Sequence, residues 1–102
     1  MKTEHIVQAL ETVAQRLGLA VRWEKGRFRG GRCTVNGATL ILLNKSHPPE
    51  IHLAILAESL RDLPVDTIFL RPAVREALEA TWERHPETLH DTLLEEEEAD
   101  AE

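Results

Sequence analysis

The stretch "GGRCTVNGATLILLNK", residues 30–45, is where the fold of this chain is decided. At its centre Asn36-Gly37 is the strongest short hairpin signal in the sequence, because both residues tolerate the positive φ of a tight two-residue turn. The turn joins "CTV" to "ATLILL", whose apolar residues fall on both faces of an extended chain and predict a covered, central strand. Upstream, Leu19, Val21 and Trp23 alternate with Ala20, Arg22 and Glu24, the pattern of a half-buried strand. "EKGR" reads as a turn, and "RFR" begins a second strand with Phe28 inward and Arg27 and Arg29 outward. Gly30-Gly31 interrupts that strand as a bulge. Joined in chain order, these pieces predict a three-stranded antiparallel meander.

Helices flank it. Ile6, Leu10, Val13 and Leu17 recur at helical spacing behind Thr3, a capping residue type, and Gly18 supplies the left-handed residue that ends many helices. Residues 48–62 return to helix, with Leu53, Leu56, Ala57, Leu60 and Leu63 on one face and Ile51 and Ile55 nearly opposite. Apolar surface on two sides predicts a helix covered twice. Pro64 stops it, and "VDTIFL" reads as a short strand or an extended connector. Pro72 opens a third helix, with Val74, Ala77, Leu78 and Trp82 inward, ending before Pro86. Leu89, Leu93 and Leu94 suggest one more short helix, and "EEEEADAE" is expected to be disordered.

The totals agree with one small domain. A chain of 102 residues, 42% apolar and 29% charged, has the composition of an ordinary soluble protein. No apolar run approaches the roughly 20 residues of a membrane span. The amphipathic start carries Glu4 and Glu11 and does not suit a secretory signal, so a cytoplasmic location is expected. A single cysteine, Cys33, excludes an internal disulfide and a multi-cysteine zinc site. The net charge of −6 is unevenly placed. Residues 85–102 hold eight acidic groups and no Lys or Arg, whereas residues 1–84 carry 10 acidic and 12 basic groups, a net of +2.

Four of the five histidines sit in two similar pieces, "HPPEIH" at 47–52 and "HPETLH" at 85–90. A spacing of five puts side chains about 140° apart around a helix, whereas metal ligands recur at three or four. Proline is favoured in a first helical turn, so both pieces read as helix boundaries. No metal and no cofactor is expected. Cys33 has basic neighbours in sequence but no evident histidine partner, and its strand position suits an inert thiol. "GRFRGGR" lacks the Lys-Ser/Thr of a phosphate loop, and no elbow motif surrounds a serine, so no catalytic residue is assigned.

Residues 27–63 have the order strand, Asn-Gly turn, strand, polar link and helix, as in "ATLILLNKSHPPEIHLAILAESLRDL". This order resembles the hairpin and active-site helix of ImmA/IrrE-type zinc metallopeptidases. The family's helix carries H-E-x-x-H. Here Ala57 and Arg61 flank Glu58 at the ligand positions, so the resemblance implies a related scaffold without zinc and without peptidase chemistry. Glu58, beside Ile51 and Ile55, reads as an ordinary salt bridge at a helix edge, with a partly buried carboxylate paired with an arginine as the alternative.

The densest local signal is "RWEKGRFRGGR", residues 22–32, where Arg22, Lys25, Arg27, Arg29 and Arg32 meet one acid, Glu24. Trp23 and Phe28 are interleaved, but strand alternation turns them away from the arginines and leaves a solvated basic surface. The reading that follows is an α+β domain over residues 1–94, with an N-terminal helix, the antiparallel meander, and two or three helices packed on the sheet. A disordered acidic tail, 95–102, modulates binding or solubility. The expected function is a non-enzymatic protein–protein interaction module whose basic hairpin contacts an acidic surface. RNA or DNA binding through the same arginines is the alternative, and a degenerate metallopeptidase-like domain the third.

Overall fold

The computed structural model describes residues 1–84. Helix α1 spans Thr3–Arg16, strands β1, β2 and β3 span Ala20–Glu24, Gly31–Val35 and Ala38–Asn44, and helices α2 and α3 span Pro49–Leu60 and Pro72–Arg84. A short 3-10 turn, Val65–Thr67, lies between α2 and α3 where a strand or connector was expected. The expected helix at Leu89–Leu94, the acidic tail, His85 and His90 lie outside the described residues.

The expected α+β class holds, but the sheet is mixed rather than an antiparallel meander. Its order is β1-β3-β2. β2 and β3 pair antiparallel across the Asn36-Gly37 turn, while β1 pairs parallel to β3 with Trp23 opposite Leu43. Asn36 and Gly37 adopt φ of 52° and 82°, as the two-residue turn requires. Two physical causes produce the mixed order. β3 is apolar on both faces, with Leu40, Ile41 and Leu43 all buried, and such a strand is best accommodated with a neighbour on each edge. In addition, residues 25–30 are loop, not strand, and carry the chain across the carboxyl end of β3 to its far edge. Arg27, Phe28 and Arg29 therefore belong to this crossing loop, and β2 begins at Gly31.

Gly30 and Gly31 are the landing point of that crossing rather than a bulge. Gly30 has φ of +97°, and a Cβ there would lie 2.4 Å from the Leu42 carbonyl oxygen. Only glycine allows so close a backbone approach.

The helices lie on one face of the sheet. Ile41 and Leu43 join α1, α2 and α3 in a single core, and cross-strand register puts Val21, Trp23 and Arg32 on this same face. Arg22 and Leu42 point to the other. α2 is covered twice, as its sequence required, by the sheet on one side and by α1 and α3 on the other. Ile55, Leu56 and Leu60 are fully buried, each worth about 1.5–3 kcal/mol of apolar transfer. α3 rests on α1 and α2, with the Trp82 indole donating to the Ala57 carbonyl at 2.6 Å and Arg61 donating to the Trp82 carbonyl at 3.0 Å. α1 starts with Lys2 in the capping position and no side-chain cap bond, so Thr3 is its first residue rather than its cap. Its end is as expected. Gly18 N–H bonds to Gln15 and Leu19 N–H to Ala14, around a left-handed Gly18.

Among the described residues no helix is long and apolar enough to cross a membrane.

Candidate functional site: the basic crossing loop

The loop of residues 25–30 is held by one buried side chain. Asn44, 2% exposed at the end of β3, donates both amide hydrogens, to the Gly26 and Phe28 carbonyls, each at 2.8 Å. Its Oδ1 accepts the Ser46 N–H at 2.9 Å, and its own carbonyl meets His52 Nε2 at 2.7 Å. That carbonyl can only accept, so Nε2 of His52 carries the proton. Asn44 thus ties the crossing loop, the end of β3 and the start of α2 into one unit. The backbone of β1 adds another tie, where Lys45 N–H bonds to the Glu24 carbonyl.

The five basic residues singled out from sequence do not form one surface. Lys25 and Arg27 are exposed on the loop, and Arg29 beside them is half-buried. Arg22, exposed on the open face of the sheet, pairs with Glu24 at 3.2 Å. Arg32 lies on the opposite, helix-covered face. Its Nη1 and Nη2 donate to Asp62 at 2.8 and 3.0 Å, and Nη1 also donates to the Ser59 carbonyl at 2.9 Å. The hydrogen bonds to the Asp62 carboxylate raise the Arg32 pKa above its ordinary value. Partial burial opposes this, and the charges of Asp62 and Glu58 add to it. Arg32 is a brace between β2 and α2.

Glu58 stands beside this brace. Its side chain is 9% exposed and lies 3.3 Å from Arg61 Nε, one turn on. Where the metallopeptidase resemblance puts a catalytic glutamate, this chain has a carboxylate held between Arg61 and the field of Arg32. Ala57, at a ligand position, is fully buried.

The aromatic residues of the hairpin segment face inward or lie low. Trp23 donates its indole N–H to Glu11 of α1 at 3.2 Å and meets the His52 ring edge to face, 4.8 Å between centroids. Phe28 is half-buried, and a Cβ on Gly26 would lie 3.0 Å from its ring. Neither forms an exposed platform for bases.

A second concavity, of about 300 Å³, opens beside Trp23 between α1 and the start of α2, and is lined by Glu4, Glu11, His47 and His52 among others. The sequence reading missed it, because it treated "HPPEIH" only as a helix boundary. The carboxyl ends of the parallel strands β1 and β3 bring Trp23 to these histidines, a proximity that a meander would not create. Among the described residues its lining includes no serine, threonine or cysteine, and Glu11 and His52 are each engaged by a neighbour. Among the described residues no three His, Cys, Asp or Glu side chains converge as metal ligands. Cys33 forms no disulfide and sits half-buried on β2.

No protein-family model, curated protein or solved structure matches the chain.

Proposed function

We propose that this chain is a small non-enzymatic protein-interaction module that recognises an acidic surface of another protein, with Lys25, Arg27 and Arg29 of the crossing loop and the neighbouring Arg22 as contacts. The observation that supports it is the Asn44 clamp. A six-residue loop with two exposed cations is held by a buried side chain at both the Gly26 and Phe28 carbonyls. A loop held in place loses less entropy on binding than a free one, which favours recognition. The inward Trp23 and half-buried Phe28 offer bases no exposed aromatic platform, which favours a carboxylate-bearing protein over single-stranded nucleic acid.

Fluorescence anisotropy tests this with two labelled ligands of equal charge, a glutamate-rich peptide and a single-stranded RNA. Lys25→Ala with Arg27→Ala is expected to weaken peptide binding about fivefold to tenfold, the sum of two exposed charge contacts. Binding should also fall from low to physiological salt, where the Debye length is about 8 Å. Arg32→Ala is the control. It should leave peptide binding unchanged while lowering unfolding free energy by about 1 kcal/mol, the scale of a partly exposed ion pair. RNA bound more tightly than peptide, and lost with the same double substitution, would replace the protein partner by a nucleic acid. No binding of either ligand at low salt would remove the loop as a contact surface.

A further inference from the structure

Phe69 is 84% exposed, an isolated large apolar side chain in a chain that buries most of the others. It borders a groove of about 560 Å³ between α1 and residues 68–74, within the range of about 300–1,000 Å³ typical of ligand clefts. Ala9 and Ile68 contribute apolar surface, Arg16 and Arg71 contribute the cationic groups, and His5 lies among the lining residues. Among the described residues no aspartate or glutamate lines it. From His5 to Arg16 the α1 side of the groove runs about 16 Å, three helical turns.

The arginines of this groove differ from four others on the protein. Arg22, Arg32, Arg61 and Arg75 each have a carboxylate partner within the chain. Arg16 and Arg71 have none among the described residues. Arg16 sits in the last turn of α1, where a cation suits the negative end of the helix. Arg71 has no such reason. It immediately precedes Pro72, the first residue of α3, at the positive end of a helix whose first turn contains no acidic residue. The apolar groove therefore ends in a cation placed against a helix dipole, an arrangement that an incoming carboxylate would relieve.

We infer that this groove is a second docking surface, distinct from the basic loop, and that its occupant is an acidic amphipathic helix of another protein. Aliphatic residues on one face of that helix rest on Phe69, Ile68 and Ala9. Carboxylates at one end meet Arg71 and the N-terminus of α3, with Arg16 engaging a neighbouring carboxylate. The mode is that of a helix laid in a groove, read by anchors one turn apart. It needs both halves of the chemistry: glutamates without leucines, or leucines among lysines, do not satisfy it.

The test uses the full chain and three labelled 14-residue peptides: leucine at helical spacing among glutamates, the same leucines among lysines, and glutamates with alanine in place of leucine. The first peptide is expected to bind at least tenfold more tightly than either of the others. Phe69→Ser and Arg71→Glu, both at exposed positions, should each weaken it at least tenfold, with circular dichroism and melting temperature confirming the fold. The comparison is repeated with Lys25→Ala and Arg27→Ala in place, where binding of glutamates to the loop is weakened and the first peptide should keep its tenfold advantage, so the groove and the loop stand or fall separately. Equal affinity for the first and third peptides, or binding indifferent to Phe69→Ser, overturns the proposal. A concentration-dependent dimer that Phe69→Ser abolishes would give the groove to a second copy and also overturn it. Binding that emerges only when Glu95, Glu96, Glu97 and Glu98 are changed to glutamine would instead make the chain's own acidic end the occupant.

Discussion

Asn44→Ala is expected to lower the free energy of unfolding by about 3 kcal/mol, because it strands the Gly26 and Phe28 carbonyls and removes the acceptor of Ser46 N–H. A net hydrogen bond contributes about 0.5–1.5 kcal/mol, so the loss of three is a large share of a domain's roughly 5–15 kcal/mol. Asn44→Asp is the sharper version. It keeps the oxygen that accepts from Ser46 but turns a second acceptor toward two carbonyls, and should be at least as damaging. Urea unfolding of both variants measures the effect. A shift below about 0.5 kcal/mol for Asn44→Ala, the range of an ordinary surface substitution, would mean that the loop is held by something else.

Gly30→Ala is expected to cost about 3 kcal/mol or more, through two effects that add. Its Cβ would fall 2.4 Å from the Leu42 carbonyl oxygen, a backbone atom of the central strand that cannot rotate away, and the residue already sits at φ +97°. Gly37→Ala isolates the second effect. Gly37 has φ +82° and nothing within 4 Å of the added carbon, so only left-handed strain of about 1–2 kcal/mol remains. If the two alanines cost the same, the close approach of β2 to β3 is not a constraint.

Asn44 and Gly30 fix the two ends of the crossing loop's course, which is also where sequence reasoning and structure part. The Asn36-Gly37 turn, the core stripes of α1 and α3 and the two-sided burial of α2 were legible, because each is set by local pattern. Period-two alternation in β1 is the same whether its neighbour runs parallel or antiparallel, so Leu19, Val21 and Trp23 say which side is buried but not what lies alongside. The clue was β3 itself. A strand apolar on both faces is poorly placed at the edge of a three-stranded meander, and that conflict pointed to a central position. What no local pattern shows is what holds the crossing loop in place, two hydrogen bonds from Asn44 to carbonyls sixteen and eighteen residues earlier.

The candidate site divides in the same way. Exposed cations at Lys25 and Arg27 follow from composition and turn chemistry. Arg32 looked equivalent in sequence, but its partner Asp62 lies thirty residues away, and β2–β3 register turns it toward α2. The inward turn of Trp23 was legible from alternation, whereas its neighbours Glu11 and His52 required the tertiary fold. Phe69, in the segment read as a short strand or an extended connector, was not recognised as a surface feature, since a short apolar run does not reveal which member stays in water.

The most direct test of the interaction reading is a 1H–15N NMR titration of the full chain with a glutamate-rich peptide that contains no leucine. Amide shifts that saturate and concentrate in residues 22–29, with those of α3 unchanged, are the predicted result. Saturating shifts centred elsewhere, or none at millimolar peptide and low salt, would contradict the assignment of the crossing loop as the contact surface.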